Sequence, residues 1–244
     1  MIRLLSLDTA TDRGSFCLWA GTVTDAGVTC ETSSVFLCPN GQPHAETLLP
    51  ALRDALNSLG WQLDSIDAIV FDSGPGMFTG LRVSAALAQG LAVALNKPVI
   101  PVSSLEVLAE SAYQASGATA ILSLLDARMQ QIYAGGWLRQ ATGWQPVFEA
   151  CLVNPEALDT LPAMAIGTQA AGTAIDEYPP VKTWLAARHM PDSAIRYPTA
   201  DALARLGALR FNAGLLIDPA QALPIYVRDR VALTTAERAA GATL

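Results

Sequence analysis

The sequence predicts an α/β protein with mixed sheets, built from two copies of a β-β-β-α-β-α unit of which the second is worn down. Three observations carry that expectation. Apolar stretches of strand character alternate with stretches of helical spacing, in the order β-β-β-α-β-α-β, over the first half of the chain. A second series opens with an apolar strand over 119–125 that ends on Asp126, as the first strand ends on Asp8. Finally, 51% of the 244 residues are hydrophobic and the mean hydropathy is positive, which supplies a large core and excludes disorder.

In order, an apolar strand over 2–7 runs into Asp8-Thr9-Ala10-Thr11, and a tight Thr11-Asp12-Arg13-Gly14 turn leads to a second strand over 14–20. A third, rich in β-branched residues, covers 28–37, and Pro39, Asn40, Gly41 and Pro43 break the chain after it. Ala45, Leu48, Leu49, Leu52, Ala55, Leu56 and Leu59 keep helical spacing, so a helix covers 44–59. Gly60 ends it, and Pro50 inside it predicts a kink or a late start. A strand over 68–71 enters the turn Gly74-Pro75-Gly76, a long helix leaves it with Thr79 or Ser73 as cap, and a strand over 99–102 follows.

The second half reads as strands over 130–138 and 144–151 with a bulge at Gly135-Gly136, and a short helix capped by Asn154 before Pro155. A strand over 163–166 and helical segments over 181–188 and 199–216 complete it. From Pro224 the chain is a strand or an extended arm, and 234–244 is loosely tied. Three regions result: 1–104, 105–223 and the tail 224–244.

The helix after Gly76 is unusual. Between 81 and 95 its only polar side chains are Arg82, Ser84 and Gln89, where a surface helix keeps a whole polar face. Alanine and glycine fill much of the rest and let another backbone come close. Such a helix is covered on two sides, one by its own sheet and the other by the rest of the chain or by a second protein. Arg82 is either solvated or a partner contact.

Composition excludes several classes. With 15 basic and 22 acidic residues the net charge is −7, and no basic run of five occurs, which argues against unaided nucleic-acid binding. No uninterrupted apolar run is long enough for a membrane span, and Asp8 breaks the N-terminal apolar run too early for a signal peptide, so a cytoplasmic protein is expected. Cys17, Cys30, Cys38 and Cys151 form no Cys-x-x-Cys pair and read as buried free thiols. His44, at a helix start, and His189, in a loop, lie far from them in sequence, against a zinc site. Ser103-Ser104 with His44 and Asp8 lacks the Gly-x-Ser-x-Gly elbow of a hydrolase. Asp8 and Asp126 either hold magnesium through water or fold their own turns.

Leu-Asp-Thr-Ala-Thr at 7–11, His-Ala-Glu-Thr-Leu-Leu-Pro at 44–50, Gly-Pro-Gly-Met-Phe-Thr-Gly-Leu-Arg at 74–82, Ala-Gln-Gly-Leu-Ala at 88–92, Asp-Ala-Arg-Met at 126–129 and Pro-Ile-Tyr-Val-Arg at 224–228 resemble the bacterial TsaB family, also called YeaZ. The resemblance covers the first 140 residues and the tail and is faint over 150–220. It implies the duplicated actin/hexokinase/Hsp70-like (ribonuclease H-like) fold. It also implies a non-catalytic partner of TsaD, acting with TsaE, in making threonylcarbamoyladenosine on tRNAs that read ANN codons. Such a chain would meet tRNA only indirectly and would form a homodimer when alone. Its partner surface is expected on the helices 44–59 and 78–95, at Leu48, Leu52, Phe78, Arg82, Ala86, Leu87, Gln89 and Gly90. Vestigial nucleotide loops are expected at Asp8, Thr9, Thr11, Gly74, Gly76 and Asp126, with ATP/ADP and metal on the partner subunits and no catalytic or metal-binding residue here. The His-x-x-x-His metal pair of TsaD-like enzymes falls on Ser104 and Leu108. The alternative is an ATP-dependent small-molecule phosphotransferase of the same fold, using Asp8–Thr11 with Gly74–Gly76.

Overall fold

A computed structural model describes residues 1–25, 27–39 and 41–228. In chain order, the first half holds β1 (Ile2–Asp8), β2 (Ser15–Thr24), β3 (Gly27–Leu37), α1 (His44–Leu59), β4 (Ala68–Gly74), α2 (Phe78–Leu95), β5 (Val99–Ser103) and α3 (Ser104–Ser116). The second half holds β6 (Ala120–Asp126), β7 (Ile132–Gln140), β8 (Gly143–Val153), β9 (Gln169–Ala171), α4 (Ala174–Glu177), α5 (Pro179–Ala187) and α6 (Ala200–Asn212).

The first sheet has the order β3-β2-β1-β4-β5. Its antiparallel strands β1–β3 follow one another directly, whereas β4 and β5 run parallel to β1 and need helical crossovers. Parallel strands covered on both faces become apolar throughout, and β4 is buried along its whole length. Leu5, Leu7, Ile69 and Phe71 point to one side and pack with Leu48, Leu52 and Leu56 of α1 and Ala85, Ala88 and Ala92 of α2. Leu4, Ala68 and Val70 point to the other and meet Val107 of α3 and Ala200–Ala208 of α6.

The second sheet, β8-β7-β6-β9, repeats the first four positions of this order. Among the described residues no strand in it corresponds to β5, β9 has three residues, and a 3-10 turn at Pro155–Thr160 stands where the first half has α1. The expected duplication is therefore present, with the second copy trimmed. α3 lies between the sheets, Val107 toward the first and Leu105, Leu108, Ala109 and Ala112 toward the second. The sequence reading assigned no helix there. The division at 104 separates the sheets but not their coverings, since α6 packs on the first sheet and Ile217 exchanges backbone hydrogen bonds with Val99 of β5.

Several local expectations are corrected. Residues 163–166 form no strand, and Ile166 is fully exposed. The strand in that place is β9, paired with Ile121–Ser123. Asn154 precedes the 3-10 turn without a side-chain capping bond. Neither Thr79 nor Ser73 caps α2: its N-cap is Met77, and Ser73 Oγ donates to Val102 O at 3.0 Å. α1 runs unbroken through Pro50 and ends on Gly60 in the left-handed conformation. α6 stops at Asn212, short of 216. From Pro224 the chain is an extended arm, and the segment 234–244 lies outside the described residues.

Candidate functional site

The parallel pairing of β1 and β4 sets their C-terminal ends side by side, with fully buried Asp8 at the end of β1 and fully buried Asp72 two residues before the end of β4. Asp8 Oδ1 accepts from Ala10 N at 3.2 Å. Asp72 Oδ1 accepts from Gly74 N at 2.8 Å and from the Ser104 hydroxyl. The second oxygen of each carboxylate is buried without a donor from the protein. Two buried carboxylates in contact cannot both ionise cheaply. Burial first, and then the charge of Asp72, holds Asp8 protonated well above the usual carboxylate range. Burial raises Asp72 to about 6, against the pull of its donors from Ser104 and Gly74. The proton that Asp8 keeps is further stabilised by the hydrogen bond between the two side chains. Sequence reading took Asp8 alone. The signal for Asp72 was its place at the end of an apolar strand next to β1.

The glycine turn above this pair is sealed rather than open. A Cβ on Gly76 would lie 2.4 Å from Ala10 O and one on Gly80 1.8 Å from Thr9 O, so the first turn of α2 sits directly on the loop after β1. Met77 N donates to Ala10 O at 2.7 Å and Thr9 Oγ1 to Gly80 O at 2.7 Å. One N–H group at the start of α2, that of Met77, is thus spent within the chain. On the facing side Asp126 folds its own turn: Oδ1 accepts from Arg128 N at 2.8 Å and from Tyr178 Oη at 2.6 Å, and Oδ2 pairs with Arg128 at 3.0 Å. Thr11, Gly76, Asp126 and Arg128 line a cleft of about 120 Å³. Ligand pockets run from roughly 300 to 1,000 Å³. The structure thus brings Thr11, Gly76 and Asp126 to one small cleft, while Asp8, Thr9 and Gly74 are buried.

The eight residues expected to meet a partner divide. Leu48 and Leu52 turn inward from α1 and are buried in the core, so they present no surface. Leu87 is half-buried against the same core, and Gln89 donates from Nε2 to Pro219 O at 3.1 Å. Phe78 is half-buried, its ring 5.3 Å from that of Tyr226, with the Arg82 guanidinium 3.9 Å over it. Arg82, Ala86 and Gly90 are exposed and share one face of α2 with Thr79 and Val93. α2 is long and apolar enough to cross a membrane by length and composition, yet its other face packs on the first sheet and Ser84 Oγ donates to Asp72 O at 3.0 Å. It is an apolar helix covered on one side only.

The family model described as "TsaD: tRNA N6-adenosine threonylcarbamoyltransferase" matches residues 40–226. The tRNA threonylcarbamoyladenosine biosynthesis protein TsaB of Escherichia coli K12 is 31% identical over 236 residues, covering 95% of this chain and 96% of that protein. The chain belongs to the TsaB (YeaZ) family. The protein of the same name from Haemophilus influenzae is 29% identical over 94% of this chain and 95% of its own length. The solved structure of YeaZ from Pseudomonas aeruginosa aligns with a TM-score of 0.75 and 32% identity, over 93% of this chain and all of that one. The fold is the duplicated actin-like α/β fold that the resemblance implied. Within this TsaB-family chain, the two positions matching the TsaD-like histidine pair are fully buried: Ser104 bonds to Asp72, and Leu108 packs in the core between α3 and the second sheet.

Proposed function

We propose that this chain is a non-catalytic scaffold subunit of the assembly that forms N6-threonylcarbamoyladenosine beside the anticodon of tRNAs reading ANN codons. It acts in the cytoplasm and docks a TsaD-family protein on the open face of α2, with a TsaE-family protein joining the pair. The names of its relatives support the pathway, and the match to a TsaD-family model supports a partner of related architecture.

The observation that carries the docking role is Gly90. A glycine in a helix interior costs about 1 kcal/mol relative to alanine. At Gly76 and Gly80 the chain's own packing demands the missing Cβ, but a Cβ at Gly90 would meet nothing within 4 Å. The room above it fits a close helix–helix crossing by another protein, with Ala86 and Ala94 one turn away on either side. Val93, 66% exposed, adds apolar contact area to that face. Alone, two copies cover the same face by pairing with each other.

The net charge of −7 supports a reading in which the partner grips the tRNA. ATP/ADP and metal belong to the partner subunits in this reading. Deletion of the gene, followed by mass spectrometry of tRNA nucleosides, tests it. The modified adenosine should disappear, return with the wild-type gene, and fail to return with Ala86→Asp. Undiminished modification in the deletion strain would refute the assignment.

A further inference from the structure

Resting on the reading of α2 as the docking helix, we propose that residues 224–228 form a latch that fixes the start of α2 to the turn after β6, with Arg228 as a positioning residue for the docking face. The arm runs between the two halves and is fastened to both. On the first half, Ile225 N donates to Ser73 O at 2.7 Å. Gly74, at φ +108°, has no Cβ where Ile225 O passes, since one would lie 2.7 Å from that oxygen. Tyr226 packs on Phe78 and its hydroxyl accepts from Arg82 Nε at 3.3 Å.

On the second half, Arg228 Nη2 donates to Ala127 O at 3.0 Å, Arg128 O at 3.2 Å and Gln131 Oε1 at 2.7 Å, while Nη1 reaches Met129 Sδ at 2.9 Å. The segment it grips is costly to hold. Arg128, Met129 and Gln130 are three consecutive non-glycine residues in the left-handed region, at φ 60°, 54° and 55°. A planar guanidinium can bridge carbonyls that diverge from such a turn, and a point-charge ammonium cannot. One side chain therefore stabilises a strained turn in the second half and, through four residues of extended backbone, sets Phe78 and Arg82 at the end of the docking helix. Exposed Ile225 and Tyr226 border the same face, so a partner seated on α2 also meets the latch.

Hydrogen exchange read by mass spectrometry on the full chain, and binding to the TsaD-family protein encoded in the same genome, test this with Arg228→Gln, Tyr226→Ala and Ala86→Asp. In Arg228→Gln, amides over 78–82 and 127–131 should exchange at least tenfold faster while the strands of both sheets keep wild-type protection, and partner affinity should weaken about tenfold. Tyr226→Ala should speed exchange over 78–82 only. Ala86→Asp should abolish binding and leave exchange in both segments unchanged. Unchanged exchange in Arg228→Gln overturns the latch. Faster exchange with unchanged affinity overturns its positioning role. If the wild-type chain does not bind the TsaD-family protein, the docking reading and the positioning role fail together, and exchange still decides whether the latch exists.

Discussion

Helices α2 and α3 follow consecutive parallel strands of the first sheet, yet the chain treats them in opposite ways. α3 carries Glu106 and Glu110 and is buried from nearly every side. α2 carries one charge, Arg82, and is left open along a whole face. Pairing explains the first case. Glu106 meets Arg210 at 2.5 Å, and Glu110 meets Arg139 at 2.5 Å and Trp144 Nε1 at 2.9 Å, with the Arg139 guanidinium over the Tyr113 and Trp144 rings. A buried charge is tolerated when its partners are buried with it. In the second case the open apolar face is the surface to which the proposed function assigns a partner. Charge content alone would have predicted the reverse arrangement.

The largest effect should come from breaking α3. Glu110→Ala leaves Arg139 and Trp144 Nε1 without their acceptor in a buried setting, and we expect a loss of about 3–5 kcal/mol in denaturant unfolding. Ser104→Ala removes the hydroxyl donor to Asp72 and should cost about 1–3 kcal/mol by the same measurement.

The third effect depends on pH. Asp72 titrates near 6 in the folded chain against 3.8 for the free side chain, so the folded state holds a proton that the unfolded state has released. The stability this supplies is complete below about pH 4 and is lost as pH rises to about 6. The difference in melting midpoint between wild type and Asp72→Asn should therefore move against the wild type across that window and level off above it. A constant difference from pH 4 to 7 would contradict the raised titration of Asp72. Smallest of all should be Ala86→Asp, within about 0.5 kcal/mol of wild type, because the residue faces away from the core.

The same two helices show what a sequence makes readable. The strands, α1 and α2 were legible because one covered face leaves an alternating or helical period, and Gly60 and the Gly74–Gly76 turn mark the ends. α3 was missed because a helix buried between two sheets has no polar face to reveal its period, and its glutamates are matched by arginines about thirty to a hundred residues away. β9 was misplaced onto 163–166 because three residues are too few to show alternation beside the longer apolar run. At the site, Arg82, Ala86 and Gly90 are exposed, while Leu48 and Leu52 belong to the core. Spacing identifies an apolar face but not which way it points. The bond between Asp72 and Ser104 is not legible in the sequence because it joins β4 to the start of α3 across the sheet.

What covers α2 decides whether this chain is a docking subunit. Light scattering on the purified chain, mixed at micromolar concentration with the TsaD-family protein from the same genome, tests this most directly. The prediction is a single heterodimeric peak for the wild type and separate monomeric peaks for Gly90→Leu, with the melting temperature of the variant at or above that of the wild type. Separate peaks for the wild type, or a heterodimer that Gly90→Leu leaves intact, would contradict it.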